Sequence, residues 1–172
     1  MKKKLFLLIL IFTSILVSAQ NLSLAQLLEI KKKDLGNAEE YLTTKGWEFR
    51  EAEEPTDEKL GFATFTFNKS DMSDLAESFL NYYYNNYSNT TRINIQINKK
   101  AKYNEYINSI KGFGCKLIKS EIQEGRIVKI YRGATTTFRI SSSTSSNFYN
   151  EETAIWLIFI VSNDDYDLNW GD

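Results

Sequence analysis

Glu40-Tyr41-Leu42-Thr43-Thr44-Lys45-Gly46-Trp47-Glu48-Phe49 reads as the end of a helix, a glycine stop and the start of a strand. The same order returns as Glu105-Tyr106-Ile107-Asn108-Ser109-Ile110-Lys111-Gly112-Phe113. The two stretches lie 65 residues apart at Tyr41 and Tyr106, and 66 apart at Gly46 and Gly112. An internal period of this length points to two copies of one supersecondary unit. On this alignment Trp47 and Phe113 are equivalent, each packed beneath its own unit's helix.

Working outward, Ser23 with Gln26 three residues on forms a capping box before Leu24, Leu27 and Leu28. Asp34 caps a second helix on which Leu35, Ala38, Tyr41 and Leu42 share a face. Gly46 ends it, because a glycine past the last turn adopts the left-handed conformation cheaply. The period then changes to two. Trp47 and Phe49 alternate with Glu48 and Arg50, and Ala63, Phe65 and Phe67 alternate with Thr64 and Thr66. Phe79 to Tyr84 reads as a third strand on aromatic content, and Arg92 to Ile97 as a fourth.

The second unit repeats this order. A helix over Lys102 to Lys111 is stopped by Gly112, and strands follow at Cys115–Ile122, Ile127–Tyr131, Thr135–Ile140 and Thr153–Val161. Ser141 to Ser146 reads as a serine-rich loop, and Ile93 aligns with Trp156. The fold class predicted is α+β: two tandem helix-plus-four-strand repeats forming an antiparallel sheet with helices on one face. The repeats span residues 20–99 and 100–163, with an acidic C-terminal tail over 164–172.

The N-terminus has the form of a secretion signal. Lys2, Lys3 and Lys4 precede an apolar run from Leu5 to Leu16, and Val17-Ser18-Ala19 supplies the small residues of a cleavage site. Cleavage is expected between Ala19 and Gln20, giving an exported chain of 153 of the 172 residues, periplasmic or extracellular and without a stable membrane anchor. Losing three of the 21 basic residues leaves a formal charge of −4 against 22 acidic ones. Lysine and glutamate are interspersed, which argues against a nucleic-acid partner.

The chain has no histidine, which removes histidine-based triads and the commonest zinc ligand sets. Cys115, the sole cysteine, follows a glycine turn and reads as a buried strand residue. Glu51, Glu53, Glu54, Asp57 and Glu58 lie in or beside a turn and read as solvated charge rather than a glycosidase pair. Asp165, Asp167 and Asn169 have the spacing of a calcium loop, but Gly171 comes one position late, so a frayed tail is expected. No cofactor, metal or catalytic residue is predicted.

Tandem helix-plus-four-strand units with the echoes Lys45-Gly46-Trp47 and Lys111-Gly112-Phe113 resemble the architecture of beta-lactamase-inhibitor-like proteins. That resemblance implies a sheet face that binds protein.

If helices cover the face bearing Phe65, Phe67, Ile93, Ile95, Val128, Ile130, Trp156 and Ile158, the other face is polar except at one strand. There Ile155, Leu157, Phe159 and Val161 point outward among Thr64, Thr66, Asn94, Gln96 and Lys129. An apolar row rimmed by arginine and tyrosine has the composition of a binding hot spot. The expected function is a non-catalytic binding module for a protein partner. Leu157 and Phe159 form its centre, with Tyr131, Arg139 and Arg92 around them. The competing occupant is internal: Tyr166 or Trp170 folding back over the row. A periplasmic small-molecule or glycan binder, and then a carboxylate-dependent hydrolase, are the alternative functions.

Overall fold

The computed structural model describes residues 22–70, 76–88, 90–146 and 152–171. The expected signal segment and its Ala19–Gln20 junction lie outside them. Among the described residues, no helix is long and apolar enough to cross a membrane.

Ser23 and Gln26 close the capping box, and helix α1 (Leu24–Ile30) buries Leu24, Leu27 and Ile30. Asp34 caps α2 (Leu35–Thr44) by accepting from the Asn37 backbone N–H, which holds its carboxyl below the usual range. Four strands follow: β1 (Trp47–Glu53), β2 (Gly61–Lys69), β3 (Ala76–Tyr84) and β4 (Arg92–Ile97). The second unit is α3 (Lys100–Gly112), β5 (Lys116–Gln123), β6 (Arg126–Arg132), β7 (Thr136–Ser146) and β8 (Glu152–Ser162). A last helix, α4 (Asn163–Trp170), occupies the segment expected as a frayed tail. Ser162 caps it by accepting from the Asp165 N–H, and Asp164 and Asp165 suit the positive end of its dipole.

All eight strands form one antiparallel sheet in the order β1-β2-β3-β4-β8-β7-β6-β5. Each unit is a meander, and the two join through their last strands. Helices α1 to α3 cover one face. Beneath them lie Trp47, Phe65, Leu80, Tyr82, Ile93, Ile95, Phe138, Ile140, Ile158 and Ile160. Tyr103 of α3 stacks on Trp156 with centroids 4.8 Å apart, and the buried Tyr106 hydroxyl donates to the Leu22 carbonyl at 2.5 Å. Tyr82 and Thr91 donate to the Lys33 and Lys31 carbonyls at 2.5 and 2.7 Å, fastening the α1–α2 turn to the end of the sheet.

The repeat is real, but its register differs from the one expected. Helix α3 runs through Gly112, and it is Gly114 that takes φ 79, as Gly46 does. The two left-handed glycines lie 68 positions apart. The same offset relates Ala38 to Tyr106 and Leu42 to Ile110, all fully buried. It also relates the bulge between Phe49 and Glu51 to that between Leu117 and Lys119. The counterpart of Trp47 is therefore the buried Cys115, whereas Phe113 is 54% exposed. Local composition favoured the Lys-Gly-aromatic echo, but helix length set the true register. Burial of Cys115 raises its thiol pKa, and Gly133 sits so close that a Cβ there would lie 2.8 Å from the sulfur.

Register fixes the remaining correspondences. Phe65 pairs with Leu80 and Leu80 with Ile95, while Tyr131 pairs with Phe138 and Phe138 with Ile160. Hence Ile95 corresponds to Ile160 and Ile93 to Ile158, not to Trp156. The pairs Ile93–Ile160 and Ile95–Ile158 exchange under this symmetry, so the pseudo-twofold passes through the pair Asn94–Phe159. The serine run expected as a loop is strand: Ser142 to Ser146 continue β7 against Trp156 to Glu152 of β8.

Candidate functional site

The sheet face away from α1 to α3 is read from three cross-strand rows. One runs Phe62, Tyr83, Arg92, and it continues through β8 and β7 as Val161 and Thr137. The next runs Thr64, Asn81, Asn94, Phe159, Arg139 and Ile130. The third runs Thr66, Phe79, Gln96, Leu157, Ser141 and Val128. Strand β6 is thus turned over relative to expectation. Val128 and Ile130 lie on this face, and Tyr131 lies buried among the helices' core residues. β6 is apolar in both phases (Ile127, Val128, Ile130, Tyr131), so alternation could not choose between them; pairing of Tyr131 with Phe138 does.

Helix α4 folds back across the second unit's half of this face. Val128, Ile130, Val161 and Tyr166 form a small core there, with Trp170 packed against it. Arg92 grips Asp165 through both nitrogen–oxygen contacts at 2.8 Å and lies 4.8 Å beneath the Trp170 ring. Arg132 holds Asp167 in the same two-pronged way at 2.6 and 2.7 Å, which lowers the Asp167 pKa and raises that of Arg132. Asn163 donates to the Gly133 and Ala134 carbonyls. The aspartates spaced as for calcium are thus committed to arginines on a helix, and among the described residues no cluster suits a metal.

Among the described residues, no helix crosses the first unit's half. A groove of about 480 Å³ runs along it, lined by Phe62, Phe79 and Tyr83 together with Thr64, Asn81 and Gln96. Arg50 and Glu51, at the β1 bulge, wall it on the outer side. The Arg50 guanidinium lies 5.5 Å over the Phe79 ring, and Thr64 donates to Asn81 Oδ1 at 2.9 Å. Tyr83 stacks on Phe159, which also meets Trp170, so Phe159 is the wall between groove and helix. Beside it on the pseudo-twofold, Asn94 Oδ1 is buried and, among the described residues, accepts no hydrogen bond.

The residues predicted to bind are therefore divided. Leu157 is half-buried beside Gln96 on the open side, and Phe159 forms the divide. Arg139 is half-buried and donates to Gln123, Arg92 is committed to α4, and Tyr131 is on the other face. The groove aromatics Phe62 and Phe79 were missed as site residues. Their signal was an aromatic standing in the polar phase of β2 and β3.

A second, larger cleft of about 1080 Å³ lies at the sheet end, between Lys31-Lys32-Lys33-Asp34 and the Tyr84-Asn85-Asn86 turn. Burial lowers the Lys31 pKa, opposed by the charge of Asp165. Tyr82, which also lines it, is pushed up to about 12 by burial and then by the charge of Asp34.

The chain matches no protein-family model, no curated protein and no solved structure.

Proposed function

We propose that the chain is an exported, non-catalytic binding module that engages a protein partner through the open half of its sheet face. One observation carries this reading. The two halves of a pseudosymmetric face are treated differently: α4 covers one and leaves on the other a groove of three aromatic rings edged by Arg50. Aromatic side chains and arginine are the residue types that dominate binding energy at protein interfaces. The order of elements in the sequence, which resembles that of beta-lactamase-inhibitor-like proteins, would imply the same kind of partner.

The test is capture from envelope extract by the immobilised mature chain. Tyr83→Ala and Leu157→Arg should each lower capture at least tenfold with little change in melting temperature. Phe159→Arg is the wrong probe, because it also removes the wall against which Trp170 rests. Capture unaffected by both variants overturns the reading.

A second reading, a glycan ligand, is favoured by the planar amides of Asn81 and Gln96 among those rings. Calorimetric titration with a panel of neutral oligosaccharides separates the two. Saturable heat that is lost in Tyr83→Ala favours the sugar.

A further inference from the structure

We propose that the free edge of β5 is a homodimer interface, on which β5 of a second copy pairs antiparallel about a twofold axis at Ser120. The argument begins with a difference between the repeats. Unit one lays two helices over its half of the sheet, and Ala63 and Phe65 are 1% and 0% exposed. Among the described residues, unit two has only α3 on that side, and nothing described covers its outer strands. Leu117, Ile118, Ile122 and Ile127 are 50%, 53%, 79% and 51% exposed. Leu117 pairs with Tyr131 and Ile122 with Ile127, so these side chains share the helix side of the sheet, with Ile118 in the bulge. The other sheet edge, β1, exposes one large apolar side chain, Phe49. An exposed edge carrying such a row invites another strand.

The second copy is chosen because the edge is complementary to itself. The turn Glu124-Gly125 has φ 49 and 74, the two-residue hairpin turn whose closing pair, here Gln123 and Arg126, is hydrogen-bonded. Alternation then directs the backbone groups of Glu121 and Lys119 toward β6 and those of Ser120 and Ile122 outward. Two copies centred on Ser120 place Lys119 opposite Glu121, with Ile118 at the bulge near Ile122. Moving the axis to Lys119 or to Glu121 sets like charges face to face. Lys119 and Glu121 already lie 3.4 Å apart within the strand, so pairing gathers alternating charges around the axis. The interface is isologous, as closed dimers require.

Sedimentation equilibrium of the mature chain tests this. Wild type should sediment as a dimer at micromolar concentration. Lys119→Glu and Glu121→Lys should each be monomeric, raising the dissociation constant at least tenfold. The double variant should dimerise again. An equimolar mixture of the two single variants should form the mixed dimer, since each then meets its opposite. Ile122→Lys, a solvent-exposed change, gives a second monomeric control should a charge variant fold poorly. A monomeric wild type, single variants that remain dimeric, or a double variant and mixture that stay monomeric would each overturn the proposal.

Discussion

Arg92 of β4 and Asp165 of α4 face each other through two contacts of 2.8 Å, although 73 residues separate them in sequence. The pair ties the last strand of the first unit to the helix that follows the second. Asn169 adds a third hold on the same carboxylate at 2.9 Å, and Trp170 closes over the guanidinium. The latch acts beside the Arg132–Asp167 pair, the Asn163 hydrogen bonds and the packing of Tyr166 and Trp170, and it is the most buried of the polar holds on α4.

Arg92→Ala should therefore strand a largely buried carboxylate and loosen α4. Asp165 is 8% exposed and Arg92 18%, so the loss is set at about 2–3 kcal/mol, below the full cost for a wholly buried pair. Urea denaturation measures it. The unlatched protein should also gain binding of an apolar dye, because Val128, Ile130 and Val161 become exposed. A variant as stable as wild type would show that α4 is held by its other contacts alone.

Trp47→Ala and Phe113→Ala should separate sharply. Trp47 is 2% exposed beneath α2 and meets Phe67 at 5.5 Å, so its truncation should cost about 3–5 kcal/mol. Phe113 is 54% exposed, and its truncation should stay within about 0.5 kcal/mol. Denaturant midpoints decide it, and equal losses would restore the register that the Lys-Gly-aromatic echo suggests.

That pair of residues also shows how far the sequence could be read. Caps, glycine stops and alternation are local signals, and they placed helices α1 to α3 and the two meanders. Equivalence between repeats is not local: Gly112 and Gly114 are both credible stops, and the length of α3, with the buried Tyr106 and Ile110 on it, selects the second. The phase of β6 fails for the same reason, because a strand with apolar residues in both phases carries no alternation to read. Strand β8 has that same continuous apolar character from Ala154 to Val161, and the run left two occupants open, a partner or the chain's own Tyr166 and Trp170. Helix α4 was legible in principle. Ser162, the acidic first turn, and Tyr166 with Trp170 four residues on are helix signals, masked by the calcium-like spacing of the same aspartates.

Alkaline pH should weaken the fold through Tyr106. Its hydroxyl is buried against the Leu22 carbonyl, and burial first, then the charge of Glu105, raises its pKa above the ordinary 10.0. The folded state thus holds the proton more tightly than the unfolded chain. Stability from this group is complete below about pH 10 and declines as pH rises toward the folded value. Tyr106→Phe should flatten that decline while costing about 1–3 kcal/mol at neutral pH for the carbonyl left without its donor. Melting temperatures between pH 8 and pH 11, in ~1-unit steps around the ordinary tyrosine value, give both quantities. An unchanged alkaline slope in the phenylalanine variant would assign it to another group.

Acid should loosen α4 before the sheet. The hydrogen bonds from Arg132 hold Asp167 below its ordinary carboxylate value, so the folded state favours its charged form. That contribution is present above the unfolded value, about 3.9, and is lost as pH falls through the depressed one. The pair is exposed, so its individual weight is small and screened by salt. It acts on the last turn of a short terminal helix, where a small weight suffices to change docking. Trp170 reports the event, since it lies against Phe159 of β8 only while α4 is docked. Emission that is absent from Trp170→Phe should therefore shift below about pH 4, at a higher pH than the loss of far-ultraviolet dichroism. Asp167→Asn keeps the shape without the charge. In that variant the helix should already be loosened at neutral pH, with a smaller drop on acidification. A drop of full size would mean that Arg132 does not hold the helix, leaving the latch to Arg92 and Asp165.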